Sequence, residues 1–349
     1  MRLKVDEPVA PYTSVGIGGP AEYLYEAENS NDLVEAIKAA RTLGIGFTVL
    51  GGGTNVLISD RGLTGLVIIN KKGGYSVGDA KGHKSESVKT VKPEFRWESD
   101  TTRGSHRGVE FKDLDYDESD KERIDVVVES GAILPSLLGE LIQKGITGLQ
   151  WFGGIPGTIG GAVVNNLHGG SRFFSEILTA ADVLLDDGTV ERYDTTKLDV
   201  DYDKSVFHDE DWIVLNAHLG LFLGDKERAK WTAQEWAARK SRSIPQKGTP
   251  GCAFVNITKE ECEKFGYPTT STGFIVEHVL KMSGYKVGKA AICKTHHNVI
   301  VNEGGATAKD YLQVIKDIQS EIYKELKIKL KTEIFLLGFT EKELEGLYR

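Results

Sequence analysis

The sequence predicts an α+β fold built in more than one domain, on three observations. The chain has 349 residues, a length that as a prior divides into two or three domains. Short apolar runs of strand length alternate with amphipathic stretches of helical period. Two glycine-rich blocks, beginning at Gly51 and Gly148, interrupt the ordered segments. They hold part of an unusual total of 40 glycines, against an ordinary share of about 7%.

Taken in order, residues 21–70 read as strand, helix, strand. Asn31 to Ile37 opens a helix capped by Ser30 or Asn31. Leu33, Ala36, Ile37 and Ala40 form its apolar face and Gly44 ends it. Phe47–Leu50 is a short strand running straight into Gly51-Gly52-Gly53-Thr54-Asn55, and Leu66–Asn70 is another. Residues 72–123 are rich in Lys, Glu, Asp, Ser and Gly without a sustained period. They read as a solvated insertion, with a partner-binding lobe as the other reading. Ile124–Val128 is a buried strand, followed by a helix near Pro135–Lys144 with proline in its first turn. Residues 178–222 look rich in strands, and Arg228–Arg242 is a connecting helix. Thr307 and Asp310 make a capping box. It opens a long helix that turns Leu312, Ile315, Ile318, Ile322 and Leu326 inward. Ile334–Leu337 is the last strand.

Composition excludes several function classes. A net charge of −8 argues against a nucleic-acid footprint, which needs a basic domain or stripe. Three cysteines without a CxxC pair speak against a disulfide framework or zinc site and for a reducing, cytoplasmic setting. No apolar h-region opens the chain and no apolar run reaches membrane-spanning length, so neither export nor a membrane anchor is expected.

The glycine blocks carry the first chemical signal. In Gly51–Asn55 and in Gly153-Gly154-Ile155-Pro156-Gly157-Thr158-Ile159-Gly160-Gly161-Ala162 the missing side chains let backbone N–H groups approach a phosphate. The same residues also suit plain tight turns. Neither a G-x-G-x-x-G fingerprint nor a Gly-Lys-Ser/Thr ending is present. Two such loops fit a dinucleotide clamped between two lobes.

Three motifs then give a specific resemblance. Thr13-Ser14-Val15-Gly16-Ile17-Gly18-Gly19-Pro20-Ala21 is similar to the opening motif of the UDP-N-acetylenolpyruvoylglucosamine reductases. Gly51–Asn55 is similar to their GGGSN loop, and Gly148–Ala162 to their GLE-x-x-x-GIPG-x-x-GGA segment. The similarity spans nearly the whole chain outside 72–123. It implies a two-lobed FAD-binding fold of the vanillyl-alcohol-oxidase (PCMH) type, with an α+β substrate-binding domain after it. The boundaries are 1–50 for the first lobe, 51–245 for the second, 246–332 for the substrate domain and 333–349 for a final strand and tail. It implies FAD held by Gly51, Gly52, Gly53, Thr54, Asn55, Gly131, Gly154, Ile155, Pro156, Gly157, Gly160, Gly161 and Ala162, with NADPH as hydride donor. A nucleotide-sugar substrate and a monomeric state go with it.

The implied reaction adds a hydride and a proton across an enol-ether double bond. It needs stabilisation of a developing enolate and a positioned proton donor. Gly251-Cys252-Ala253-Phe254-Val255-Asn256 resembles the family's G-[Ser/Cys]-x-F-x-N motif, which makes Cys252 the donor; an unperturbed thiol is mostly protonated at neutral pH. The residues by themselves also fit Cys252 as a small buried hydrophobe. Lys331-Thr332-Glu333-Ile334 resembles the C-terminal P-E-[VI] strand, which makes Glu333 catalytic; otherwise Glu333 is an outward-facing strand residue. His296 matches a substrate-contacting histidine of an H-x-x-x-I-x-N run, with a structural hydrogen bond as the other reading. Tyr202, Lys204 and Asn256 join it on the substrate side. Asn302 reads as a turn residue, and His297 matches no family role.

The match breaks in three places. Tyr202-Asp203-Lys204-Ser205 stands where the family has Tyr-Arg-x-Ser, so Asp203 replaces an arginine that faces the substrate carboxylate. Lys204, Arg172, Arg239 or Arg242 could supply the missing cation. Val255 replaces a lysine, and Leu167-His168-Gly169-Gly170 replaces Ala-Gly-Ala-Tyr. These departures leave two further readings: an FAD oxidoreductase of the same fold acting on another substrate, and a flavin or nucleotide-sugar binding protein without turnover.

Overall fold

A computed structural model of the chain describes residues 2–81 and 111–348. The chain divides by its contacts into two compact units. One comprises residues 1–25, 44–67 and 241–349, the other 26–43 and 68–240.

The second unit is built on an antiparallel sheet in the order Val190–Asp194, Leu178–Leu184, Ile213–Leu223, Arg123–Glu129, Tyr75–Lys81, with Ile146–Thr147 also paired to Ile213–Leu223. Strand alternation decides its inner face. Ile124, Val126 and Val128 are buried, and the residues between them are half-buried. In register, Val126 faces Leu219 and Val128 faces Ala217. The helix Leu134–Gln143 has proline in its first turn and buries Leu137, Leu138 and Leu141 in the same core.

Two expectations change here. The polar stretch 72–123 is not wholly a solvated insertion: Tyr75–Lys81 pairs with Arg123–Glu129, placing Tyr75 opposite Val128. Leu114 and Glu118 are buried. An edge strand needs only main-chain hydrogen bonds on one side, so its side chains need not alternate in polarity. Glu118 accepts from Thr147 Oγ1 at 2.8 Å and from Gln150 Nε2 at 2.8 Å. Burial pushes its carboxyl above the usual carboxylate range. The remainder of the stretch, 82–110, lies outside the described residues. The first helix, Ser30–Leu43, starts at Ser30 and takes its cap from Asn29, whose Oδ1 accepts from Asp32 N at 3.0 Å. Gly44 ends it at φ +66°.

A second sheet pairs the strands Lys4–Pro8, Pro20–Ala27, Leu63–Asn70 and Phe47–Leu50 in that order, most of its residues in the first unit. The first unit also holds the small sheet Lys286–Val287, Ala290–Ile292, Ile300–Asn302. Its long helix, Ala308–Leu326, opens with the Thr307–Asp310 capping box. It buries Leu312, Ile315, Ile318, Ile322 and Leu326 against Phe254, Ile292 and Ile300. Phe335–Leu337 pairs in parallel with Val56–Ile58. Among the described residues no helix is long and apolar enough to cross a membrane.

Candidate active site

Within the first unit, three segments far apart in sequence are tied together by main-chain bonds. Glu333 N donates to Ala253 O at 2.9 Å, and Val255 N donates to Lys331 O at 3.2 Å. Cys252 and Glu333 therefore sit on paired segments. Asn55 Nδ2 donates to Glu333 O at 3.3 Å, and Phe335 N donates to Asn55 O at 3.0 Å. The loop Gly51–Asn55 is thus fastened to the glutamate segment by its asparagine. On its other side Cys252 bridges Val299, and Ala253 N donates to Asn298 O at 2.7 Å. His296 closes the same turn, with Val299 N bonded to its carbonyl at 2.9 Å.

The glycine loop is held by the motif that opens the chain. Gly53 O accepts from Ser14 N at 2.9 Å and from Ser14 Oγ at 3.2 Å. Ser14 Oγ also donates to Thr249 O at 2.7 Å. These bonds engage loop carbonyls. None of the backbone N–H groups of Gly51–Asn55 donates in a turn or loop hydrogen bond among the described residues. Gly53 sits at φ +63°, and a Cβ there would lie 2.1 Å from Tyr12 O and 2.9 Å from Thr13 Cα. Such a loop, with three successive glycines whose N–H groups make no turn or loop bond to other main-chain groups, suits an anionic cofactor segment.

Beneath Cys252 lies Tyr311, fully buried, with its hydroxyl 3.2 Å from Ile300 O. Burial drives its phenol far above the ordinary range, so it stays protonated. Cys252 is a half-buried thiol. Asn256 Oδ1 accepts from Thr272 N at 3.1 Å, so part of its side chain fixes the local turn. Asn302 ends the strand Ile300–Asn302 and its side chain holds the turn after it, Oδ1 accepting from Gly304 N and Ala306 N at 2.9 Å each. Sequence reasoning missed Thr249, Asn298 and Tyr311. Only spatial neighbours give them meaning, so no periodic or motif signal marks them.

In the second unit the other glycine block packs on the loop after Glu129. Gly160 N donates to Ser130 O at 2.8 Å, and Ile159 N to Ala132 O at 2.9 Å. Leu134 N donates to Gly157 O at 3.0 Å. Gly131, Gly157 and Gly160 are therefore neighbours. A Cβ on Gly131 would meet Lys72 O at 2.1 Å and Asn70 Oδ1 at 2.4 Å. Asn70 Oδ1 is buried and has no partner in the described structure, an acceptor that a donor group of a ligand could satisfy. Gly154 has a packing reason as well: its Cβ would fall 2.6 Å from Ala237 Cα. Thr158 caps the short helix Ile159–Val164, which carries Gly160, Gly161 and Ala162. Ile155 and Pro156 belong to the turn before it.

Two of the three family departures are not independent. Asp203 Oδ1 lies 2.9 Å from His168 Nδ1, so two of the substituted segments meet. Asp203 holds φ +47°, and its Oδ2 is buried without a partner. The ring of Tyr202 stacks on His168 at 5.3 Å between centroids. Lys204 turns to Asp199 at 3.6 Å. Arg172 is engaged by Asp115 and Glu176. The side chain found on Asp203 is that of His168, while Lys204 and Arg172 are engaged by other carboxylates.

Comparison with known proteins decides the family. Residues 244–337 match the model of the UDP-N-acetylenolpyruvoylglucosamine reductase C-terminal domain, and residues 109–194 match that of an FAD binding domain. The UDP-N-acetylenolpyruvoylglucosamine reductase of Rubrobacter xylanophilus is 30% identical, covering 96% of this chain and 95% of its own. The chain belongs to the UDP-N-acetylenolpyruvoylglucosamine reductase family. Another reductase of that name, from Trichormus variabilis, is 30% identical over 96% of this chain and 86% of its own. The crystal structure of the Thermus caldophilus reductase superposes with a TM-score of 0.66 at 26% identity, over 97% of this chain and 98% of that one. Members of this reductase family are FAD-dependent oxidoreductases of the two-lobed fold expected from the sequence, and FAD is the cofactor of this chain.

A single methyl group tests the first glycine loop. Gly53→Ala forces a side chain into a left-handed residue and onto Tyr12 O. The expected loss is about 2 kcal/mol or more of stability, seen as a lower Tm and a lower 450 nm absorbance per mole of protein. An alanine variant as yellow and as stable as the parent would remove the loop from flavin retention.

Proposed function

We propose that this chain reduces the enolpyruvyl group of UDP-N-acetylenolpyruvoylglucosamine to the lactyl ether of UDP-N-acetylmuramate, with NADPH as reductant, a step of peptidoglycan precursor synthesis. The observation that carries the reading is the pairing of the Cys252 and Glu333 segments, joined to Gly51–Asn55 through Asn55. FAD, when bound, would supply hydride-transfer chemistry between NADPH and the enolpyruvyl group. The chain's own residues do the rest. Gly51–Asn55, Gly131 and Gly154–Ala162 hold the cofactor. Cys252 Sγ gives its proton to the adjacent carbon as carbanion character develops there, a thiol being a stronger acid than a serine hydroxyl. Glu333 completes the proton path, while His296, Asn256, Tyr202 and Lys204 face the substrate.

The Asp203–His168 contact supports a second reading within the same chemistry. An ionised carboxylate opposes a developing enolate, so a substrate without a carboxylate at that point suits Asp203 better. One anaerobic experiment separates the readings. The purified protein absorbs near 450 nm, NADPH bleaches it, and the enolpyruvyl nucleotide sugar restores the colour. Bleaching that only oxygen reverses would end the first reading and leave the second.

A further inference from the structure

One side-chain cluster in the first unit has no part in that reaction. Ser283 Oγ lies 2.8 Å from His297 Nε2, and His297 Nδ1 lies 3.1 Å from Glu277 Oε2. An ionised carboxylate only accepts hydrogen bonds, so in the neutral imidazole this contact places the proton on Nδ1 and lets Nε2 accept from the serine hydroxyl. The nucleophile, the base and the group that orients the base are in the order that activates a serine. His297 is 8% exposed, whereas Ser283 lies on the surface. The second partner of Glu277 is His278, at 3.5 Å.

The backbone around these residues is irregular. Glu277 lies in a single π turn, Ile275–Val279, with Leu280 N donating to Ile275 O at 2.9 Å. Such turns are rare and frequent at functional sites. Lys281 is held at φ +56°, a conformation that costs free energy for a residue with a side chain. Tyr285 N donates to Met282 O at 3.0 Å and Gly284 adopts φ +70°, which makes Ser283 and Gly284 the central pair of a type II turn. The N–H groups of those two residues lie outside the turn's own hydrogen bond. Beside the turn is a cavity of about 480 Å³ lined by Gly284, Lys247, Lys286, Lys294 and Glu303. Lys286 pairs with Glu303 at 3.8 Å, and the ammonium groups of Lys247 and Lys294 beside that pair favour an anionic occupant.

We propose that Ser283, His297 and Glu277 form a second catalytic site, which cleaves carboxylic esters bearing a negative charge. Ser283 Oγ attacks the ester carbonyl and its proton passes to His297 Nε2. The carbonyl oxygen gains the charge beside the N–H groups of Ser283 and Gly284. The C–O bond to the alcohol then breaks, and His297 returns the proton to the leaving oxygen. Water, deprotonated by the same nitrogen, releases the acyl group as a carboxylic acid and restores the serine. Glu277 orients the imidazole throughout and is a positioning residue.

The full-length holoprotein is treated with a fluorophosphonate probe, and its peptides are weighed. The expected adduct is on Ser283. Hydrolysis of 4-nitrophenyl hemisuccinate is expected to be saturable, and to fall at least about a hundredfold in Ser283→Ala while NADPH bleaching of the flavin stays unchanged. Loss of bound flavin is not expected, because Ser283 is a surface side chain outside the reductase site. No adduct on Ser283 in the parent protein overturns the proposal, and so does hydrolysis that persists in Ser283→Ala. The two readouts are independent of turnover of the nucleotide sugar, so failure of the reductase reading does not touch them.

Discussion

Cys252→Ala is expected to slow turnover of the enolpyruvyl nucleotide sugar by about 10² to 10⁴, the range for removing a positioned general acid, while bleaching by NADPH stays within about twofold. The asymmetry follows from where the thiol acts: proton donation belongs to the step that consumes the sugar, not to the step that reduces the cofactor. The fold is expected to survive. The strand-like pairing around position 252 is made by main-chain groups, through the Cys252–Val299 bridge and the Ala253 N to Asn298 O bond. Tyr311, packed below and held protonated by burial, is too deep to replace the thiol at the surface of the site. Cys252→Ser is expected to fall between parent and alanine, since a hydroxyl keeps a transferable proton but is the weaker acid. Stopped-flow absorbance at 450 nm, first with NADPH and then with the sugar under argon, resolves the two half-reactions. Equal slowing of both would take Cys252 out of the donor role.

How much of this was legible in the sequence depended on range. Features set by nearest neighbours along the chain are written in local pattern. The helical face Leu312, Ile315, Ile318, Ile322, Leu326 and the capping box before it are examples. So are the buried run Ile124 to Val128 and the turn at Asn302. The motif resemblance singled out Cys252, Glu333 and the glycine loops, because each is a short contiguous string. Features set by main-chain pairing or by distant partners left no such trace. The edge strand Tyr75–Lys81 reads as polar filler, since its ladder uses backbone groups that every residue has. The clasp of Ser14 on Gly53 and Thr249 spans more than 200 positions in sequence on its longer arm. Asp203 on its own looked like a missing cation. Only in three dimensions does it find His168, a histidine that sits inside another altered segment. Likewise the Ser283–His297–Glu277 chain joins residues that share no motif.

Glu333→Gln is expected to lower kcat/KM by about 10² to 10³, within the range for losing a positioned proton-transfer group, with little change in Tm or bound flavin. The exchange keeps size and polarity and removes one property, the ability to take up and release a proton at accessible pH. The main-chain bonds at this position survive it, because Glu333 N to Ala253 O and Asn55 Nδ2 to Glu333 O both end on the backbone. A loss of that size therefore reports proton transfer and not misplacement. It also separates two roles for a half-buried carboxyl. If Glu333 only donates a hydrogen bond to the developing enolate, the amide can do the same and the rate stays within about threefold, since a neutral donor is what an oxyanion requires. If Glu333 relays protons to the site, the amide blocks the relay. Loss confined to the half-reaction that consumes the sugar, matching Cys252→Ala, places both residues on one proton path. A double variant then costs far less than the product of the two single losses, as groups acting as a unit do. Losses that multiply would mean that the cysteine and the glutamate serve separate steps.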